Sequence, residues 1–345
     1  MAELALATLI LGLTAYAVLG GADFGAGFWD LTAGGAERGA RLRGLVKRSM
    51  GPVWEANHVW LIFVLVIFWT CFPPAFAAVM DTLYVPLFLA SIGIIFRGAA
   101  FALRGEAATI GEARMLGATF ALSSVLVPFC LGATVGAVAA GEVPVGSAGE
   151  AIASWTGPIA VLAGVMAIAT GAFLAAVFMA ADAVRAGLPD LVAAFRARAL
   201  GSGVVAGALA IGGLAIVNSD APDLYDGLTS GLGLACVVAS ALAGVATLAL
   251  VWNGRFGPAR YASAVAVGTI LVGLAAAMSP EILPGELTLD AAAAGDGTLL
   301  ATLVSVAVGL CVLVPSLALL FRLTLRGRLD QEFHPIGSRE EDRRR

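Results

Sequence analysis

The sequence predicts an all-α polytopic membrane protein of about nine transmembrane helices, arranged as two four-helix bundles plus one peripheral helix. Three observations carry this expectation. Of the 345 residues, 60% are hydrophobic and 13% charged, about half the charged share of an ordinary soluble domain. The apolar residues gather into runs of roughly twenty, the length that crosses a hydrocarbon core. The basic residues all fall into alternate connections between those runs.

The first run, near 4–22, follows Met-Ala-Glu with no Lys or Arg before it. A secretory signal carries a basic n-region and a small-residue cleavage site, so this run is expected to remain as an uncleaved span. The others lie near 54–72, 82–98, 115–138, 158–180, 200–217, 228–251, 261–279 and 298–321. Each is expected to be helical, because backbone groups in lipid find partners only within the segment. The abundant Gly and Ala favour close approach of neighbouring helices. A single transmembrane domain over 1–325 and a charged cytoplasmic tail over 326–345 follow from this division. Span 1 ends in Gly-Ala-Asp (21–23) and span 5 in Ala-Ala-Asp (180–182), a faint echo that fits two four-helix units and a ninth helix.

One set of connections holds Arg38, Arg41, Arg43, Lys47 and Arg48, then Arg97, Arg104 and Arg114. It continues through Arg185, Arg196, Arg198, Arg255 and Arg260 to the tail from Arg322, and so takes in all 20 basic residues. The other set, around Asp81, Glu142, Asp220–Asp226 and Glu281–Asp296, is acidic and has no Lys or Arg. By the positive-inside rule the first set is cytoplasmic. The amino terminus is then outside and the carboxy terminus inside. An invented or missed span would scramble this segregation.

The four cysteines, Cys71, Cys130, Cys236 and Cys311, are scattered through apolar runs with no C-x-x-C pair, so neither a zinc site nor a redox dithiol is suggested. They read as small apolar residues. The histidines are His58 and His334, too few to ligate several haems within this chain. No metal site and no cofactor held by this chain are therefore expected. There is no phosphate-binding loop, no connection long enough for a soluble domain, and no nucleic-acid partner in view; the lipid bilayer is the surrounding medium.

An ionisable residue inside a span is costly and is by default a functional candidate. Asp23 lies near the inner end of span 1, Glu55 and His58 open span 2 in Trp-Glu-Ala-Asn-His (54–58), and Arg97 closes span 3. These groups share one depth on neighbouring helices, and Glu55 and His58, three apart, share a helix face. Together they resemble the mouth of a proton path or a buried ion-pair network. Each also has a plainer reading. Pro52 and Glu55 suit a helix start, His58 suits a hydrogen-bonded interior position, Arg97 can snorkel, and Trp54 and Trp60 suit interfacial anchors.

The run Gly-Pro-Val-Trp-Glu-Ala-Asn-His-Val-Trp-Leu-Ile (51–62) closely resembles the second-helix signature of subunit II of the cytochrome bd-type quinol oxidases. Gly-Ala-Asp-Phe-Gly-Ala-Gly (21–27) and Phe-Arg-Gly-Ala-Ala-Phe (96–101) resemble stretches ending that family's first and third helices. The resemblance implies a subunit of a quinol:oxygen oxidoreductase in the bacterial inner membrane. It would pair there with a haem-bearing subunit I that holds haem b and haem d, and with small single-span accessory subunits. Quinol would be the substrate of the complex and O₂ would be reduced to water. Glu55 falls at the family's proton-path acid, with Asp23 and His58 beside it; Trp54, Asn57 and Arg97 fall at quinone-contact or structural positions. Where the family often has Asp-Gly-Asn-Glu, this chain reads Glu-Ala-Asn-His (55–58), so one acid is lengthened and another becomes an imidazole. A proton- or cation-coupled transporter is the alternative from another class, and it predicts matched broken helices with charges near the bilayer centre. An inert membrane scaffold is a third.

Overall fold

The computed structural model describes residues 1–34, 39–50, 54–103 and 109–325, without the side chains of Met50, Glu55, Ala56, Ile110, Phe321, Thr324 and Leu325. The described chain is almost wholly helical. By compactness it divides into Met1–Thr302 and a second unit beginning at Leu303.

Nine long helices follow the predicted runs: α1 (Ala2–Leu31), α3 (Trp54–Cys71), α5 (Tyr84–Leu103), α6 (Ile110–Ala139), α8 (Pro158–Arg185), α9 (Pro189–Asp220), α11 (Gly231–Trp252), α12 (Phe256–Met278) and α14 (Asp296–Leu325). Among the described residues eight of these have the length and hydropathy of a span by themselves. The ninth, α3, qualifies together with α4 (Pro73–Thr82), which bends away by 118° after Phe72. Several helices outrun the predicted spans, α1 by nine residues at its end and α9 by eleven at its start. The apolar run marks only the part that lipid must solvate, whereas backbone hydrogen bonding continues the helix beyond it until a cap or proline stops it.

Shorter elements, not expected from hydropathy, occupy the connections. On the basic side α2 (Ala40–Met50) is amphipathic and lies against α1 and α8, with Leu42, Leu45 and Val46 in a core shared with α8, α9, α11 and α12. On the acidic side lie α7 (Ala153–Thr156), α10 (Pro222–Thr229), and a hairpin of β1 (Glu281–Leu283) and β2 (Leu287–Thr288) that leads into α13 (Leu289–Ala292).

Within Met1–Thr302, α1, α3, α5 and α6 form one four-helix group and α8, α9, α11 and α12 the other, and the seam between them is built by α8 lying against α1 and α6. Glycine sets this seam. A Cβ on Gly25 of α1 would stand 1.9 Å from the carbonyl oxygen of Gly171 on α8, and one on Gly136 of α6 would stand 2.8 Å from the Cα of Ala160. Gly21-x-x-x-Gly25 and Gly132-x-x-x-Gly136 thus let α1 and α6 press backbone to backbone on α8, the small-residue packing favoured where lipid gives helices no hydrophobic drive to associate. Trp29 of α1 adds a hydrogen bond from its indole to the carbonyl of Ala172, 2.8 Å away. At the start of α14, Leu299 is buried.

Candidate functional site

α1 and α5 run toward the basic side and α3 starts from it, so their polar residues meet there. Asp23 lies about two turns short of the end of α1, and Arg97 about two turns short of the end of α5. Because Gly21 and Gly25 hold one flank of α1 against α8, Asp23 projects into the first group, where Arg97 faces it.

The two form a closed fork. Arg97 donates from Nη1 to one carboxylate oxygen of Asp23 and from Nη2 to the other, each at 2.8 Å, and Nη2 also reaches the Asp23 carbonyl at 3.1 Å. Its Nε donates to the Ser124 hydroxyl of α6 at 2.9 Å, and that hydroxyl donates to the Phe120 carbonyl at 2.6 Å. The guanidinium carbon sits 4.7 Å from the ring centroids of both Phe24 and Phe120. The side chains of Arg97 and Asp23 are only 3% and 2% exposed. A bidentate, aromatic-flanked guanidinium is the geometry in which a buried ion pair can offset the desolvation of both charges. Arg97 therefore does not snorkel, and it joins three helices: α1, α5 and α6. Gly27 leaves the room for Ser124, whose hydroxyl a Cβ there would meet at 2.1 Å.

The opening turns of α3 complete the cluster. Asn57 is buried and donates to the Leu19 carbonyl of α1 at 3.3 Å. His58 is half-buried, lies within electrostatic reach of Asp23 and Arg97, and has a buried Nδ1 without a hydrogen-bond partner among the described residues. A satisfied interior histidine is thus not what the described atoms provide. Trp54 stacks edge-on against His58 at 5.7 Å and tilts against Phe101 at 5.4 Å. Trp60 is buried and packs edge-on against Phe63. The Glu55 side chain, the predicted acid of the path, lies outside the described residues, as do Pro52 and the tail 326–345 with His334. The bend at Phe72 is the one broken pair among the described residues. It lies at the opposite end of α3 from these charges, without the matched partner that a transporter of the broken-helix type would have.

Sequence reading missed the groups that hold Arg97. Ser124, Phe24 and Phe120 carry no charge and stand in apolar runs, so nothing in the sequence singled them out. A signal existed for Tyr16, seven residues before Asp23 and so on the same face of α1. The second group repeats the theme more openly. Asp182 near the end of α8 pairs with Arg185 one turn on and with Arg260 of α12, and Arg260 donates to the Phe178 carbonyl at 2.6 Å. Among the described residues no group of three or more His, Cys, Asp or Glu side chains is placed to hold a metal ion. His58 is the one imidazole there, and it is pressed against Trp54. That donor set does not fit a series of haems.

Residues 1–324 match the family model for cytochrome bd terminal oxidase subunit II. The chain is 29% identical over 114 residues to cytochrome bd ubiquinol oxidase subunit 2 of Bacillus subtilis (strain 168), a match covering 33% of each. It thus spans about a third of the length of the curated relative it matches. Its fold is similar to a chain in the structure of bd oxidase from Geobacillus thermodenitrificans. The TM-score there is 0.73 at 24% identity, over 93% of this chain and 98% of that one.

Proposed function

The chain belongs to the cytochrome bd terminal oxidase subunit II family, and from that premise we propose that it is the haem-free subunit of a quinol:O₂ oxidoreductase. Its partner is a haem-bearing subunit I, and its place is the bacterial inner membrane, with the amino terminus outside and the basic side in the cytoplasm. Segregation of the basic residues supports that orientation. When bound in the partner, the haems supply the redox chemistry that passes quinol electrons to O₂. This chain's residues serve the protons.

The observation that carries this reading is the buried Asp23–Arg97 fork, with His58 in electrostatic reach, two turns inside the basic end of the first helix group. Glu55, one turn nearer that end than His58, takes up a cytoplasmic proton as a carboxyl and gives it up toward the imidazole. His58 offers an imidazole, a group that can accept a proton at one ring nitrogen and release one from the other. Both oxygens of Asp23 are held by Arg97, so its part is to fix charge and helix position beside the route. Trp54 and Asn57 orient the start of α3, Trp54 by packing on His58 and Asn57 by its bond to Leu19.

Glu55→Gln keeps size and hydrogen bonding but removes the transferable proton. We expect it to lower quinol oxidase turnover of the purified complex about tenfold or more, with assembly and haem spectrum unchanged. Unaltered turnover and proton uptake would remove Glu55 from the route. Purifying the chain from its native membrane tests the broader assignment. A haem-bearing partner should appear in the reduced-minus-oxidised spectrum of the eluate, and its absence sinks the oxidase reading.

A further inference from the structure

Two polar atoms in the first helix group are buried without a hydrogen-bond partner among the described residues: His58 Nδ1 and the Tyr16 hydroxyl. A buried polar group left unbonded is costly, so each needs an explanation. They are close in depth. Asn57 bonds to Leu19, and a Cβ on Gly12 would meet Phe63 and Val64, so α1 and α3 run antiparallel with Leu19 beside Asn57 and Gly12 beside Val64. That register sets His58 level with Val18 and Tyr16 level with Trp60, about 3 Å apart along the axis.

The Tyr16 side chain turns toward the same end of the helices. Its ring lies across Gly20, where a Cβ would meet it at 2.9 Å, and edge-on to Phe24, with centroids 6.5 Å apart. The hydroxyl is therefore carried toward the basic end, into electrostatic reach of both Asp23 and Arg97. Tyr16 also lines two cavities, of about 250 and 340 Å³. Either is far larger than a water requires, and the polar side chains that share their lining are few: Thr134, which donates to the Cys130 carbonyl, and Glu281, which accepts from the Gly285 amide, in the first, and Thr170 in the second. Water is the ligand these orphans fit, because it donates to Nδ1, accepts from the phenol and bridges to the fork.

The geometry points to an ordered water bridge between His58 Nδ1 and the Tyr16 hydroxyl beside the Asp23–Arg97 fork, which makes Tyr16 the deeper polar stop of the proton route and a positioning residue for it. This rests on the proton-route reading above. Tyr16 does not give up its own proton in the net; it orders the waters through which a proton leaves His58.

The test uses the whole oxidase complex. A high-resolution density map of the wild-type complex should contain water within hydrogen-bond distance of both atoms; a map with both sites dry overturns the bridge even if no variant assembles. Tyr16→Phe, which keeps the ring on Gly20 and Phe24, should lower turnover several-fold and enlarge the solvent deuterium isotope effect, with the quinol KM unchanged. A merely structural phenol would leave the isotope effect alone. If Glu55→Gln and His58→Phe slow turnover while Tyr16→Phe does not, the Tyr16 inference fails and the route stands. If all three leave turnover unchanged, the route itself fails.

Discussion

The two four-helix groups each place an aspartate near the basic end of their first helix and answer it with arginine from a later one, yet the two constructions differ in depth. In the first, Asp23 and Arg97 are shut away at 2% and 3% exposure, every guanidinium nitrogen is bonded, and phenylalanines cover both faces. In the second, Asp182 is shared by Arg260 and Arg185, with side chains 11%, 20% and 45% exposed, and one ring, Phe178, lies near Arg260. Burial makes the first an all-or-nothing arrangement, since losing one member strands the other in a medium that cannot solvate it. The second stays within reach of water and headgroups, which replace a lost partner at small cost.

Breaking the first pair should have the largest effect. Arg97→Ala or Asp23→Ala should cost about 3–5 kcal/mol, read as a lower thermal midpoint of the detergent-solubilised complex. Replacing both at once, as Asp23→Leu with Arg97→Met, should recover much of that loss, because no charge is then left uncompensated. A double variant as unstable as the singles would mean that the pair is held for more than its own neutralisation. Next comes the seam that aims Asp23. Gly25→Val drives a side chain into the Gly171 carbonyl and should cost about 1–3 kcal/mol, with a shift of α1 on α8; a cross-link formed between cysteines introduced on α1 and α8 should fall in yield. The smallest effect belongs to the second group. Asp182→Asn should cost about 1 kcal/mol or less, and high salt should shrink even that. A loss equal to that of Asp23→Ala would erase the distinction between the groups.

The legibility of these parts in the sequence followed the same divide. About nine spans could be read from apolar runs and from the placement of Lys and Arg, because a bilayer imposes length on every crossing segment; their division between two helix groups rested on the faint echo of residues 21–23 in 180–182. The pairing partner of Asp23 was another matter. Arg97 stood 74 residues away and carried a plausible snorkelling role. Only the packing of α5 on α6, where Val127 fits against Gly93, and of α6 on α1 brought the fork together. Likewise the helix ends, the amphipathic α2 and the bend at Phe72 escaped hydropathy, which measures the need for lipid and not the continuation of hydrogen bonds. The packing of Trp54 on His58 and of Trp60 on Phe63 was likewise not legible as contact from the sequence.

By itself the sequence determined that this is a polytopic helical membrane protein, which side of it is basic, and which ionisable residues sit at that side. Those properties depend on each segment's own composition and on the solvent it meets. The tertiary structure alone decided that Asp23 is locked by Arg97, that Ser124, Phe24 and Phe120 hold the lock closed, and that Tyr16 and His58 are left with unmet hydrogen bonds. Such outcomes arise from contacts between distant helices, and the glycines that fix how closely those helices approach act only once the helices are side by side.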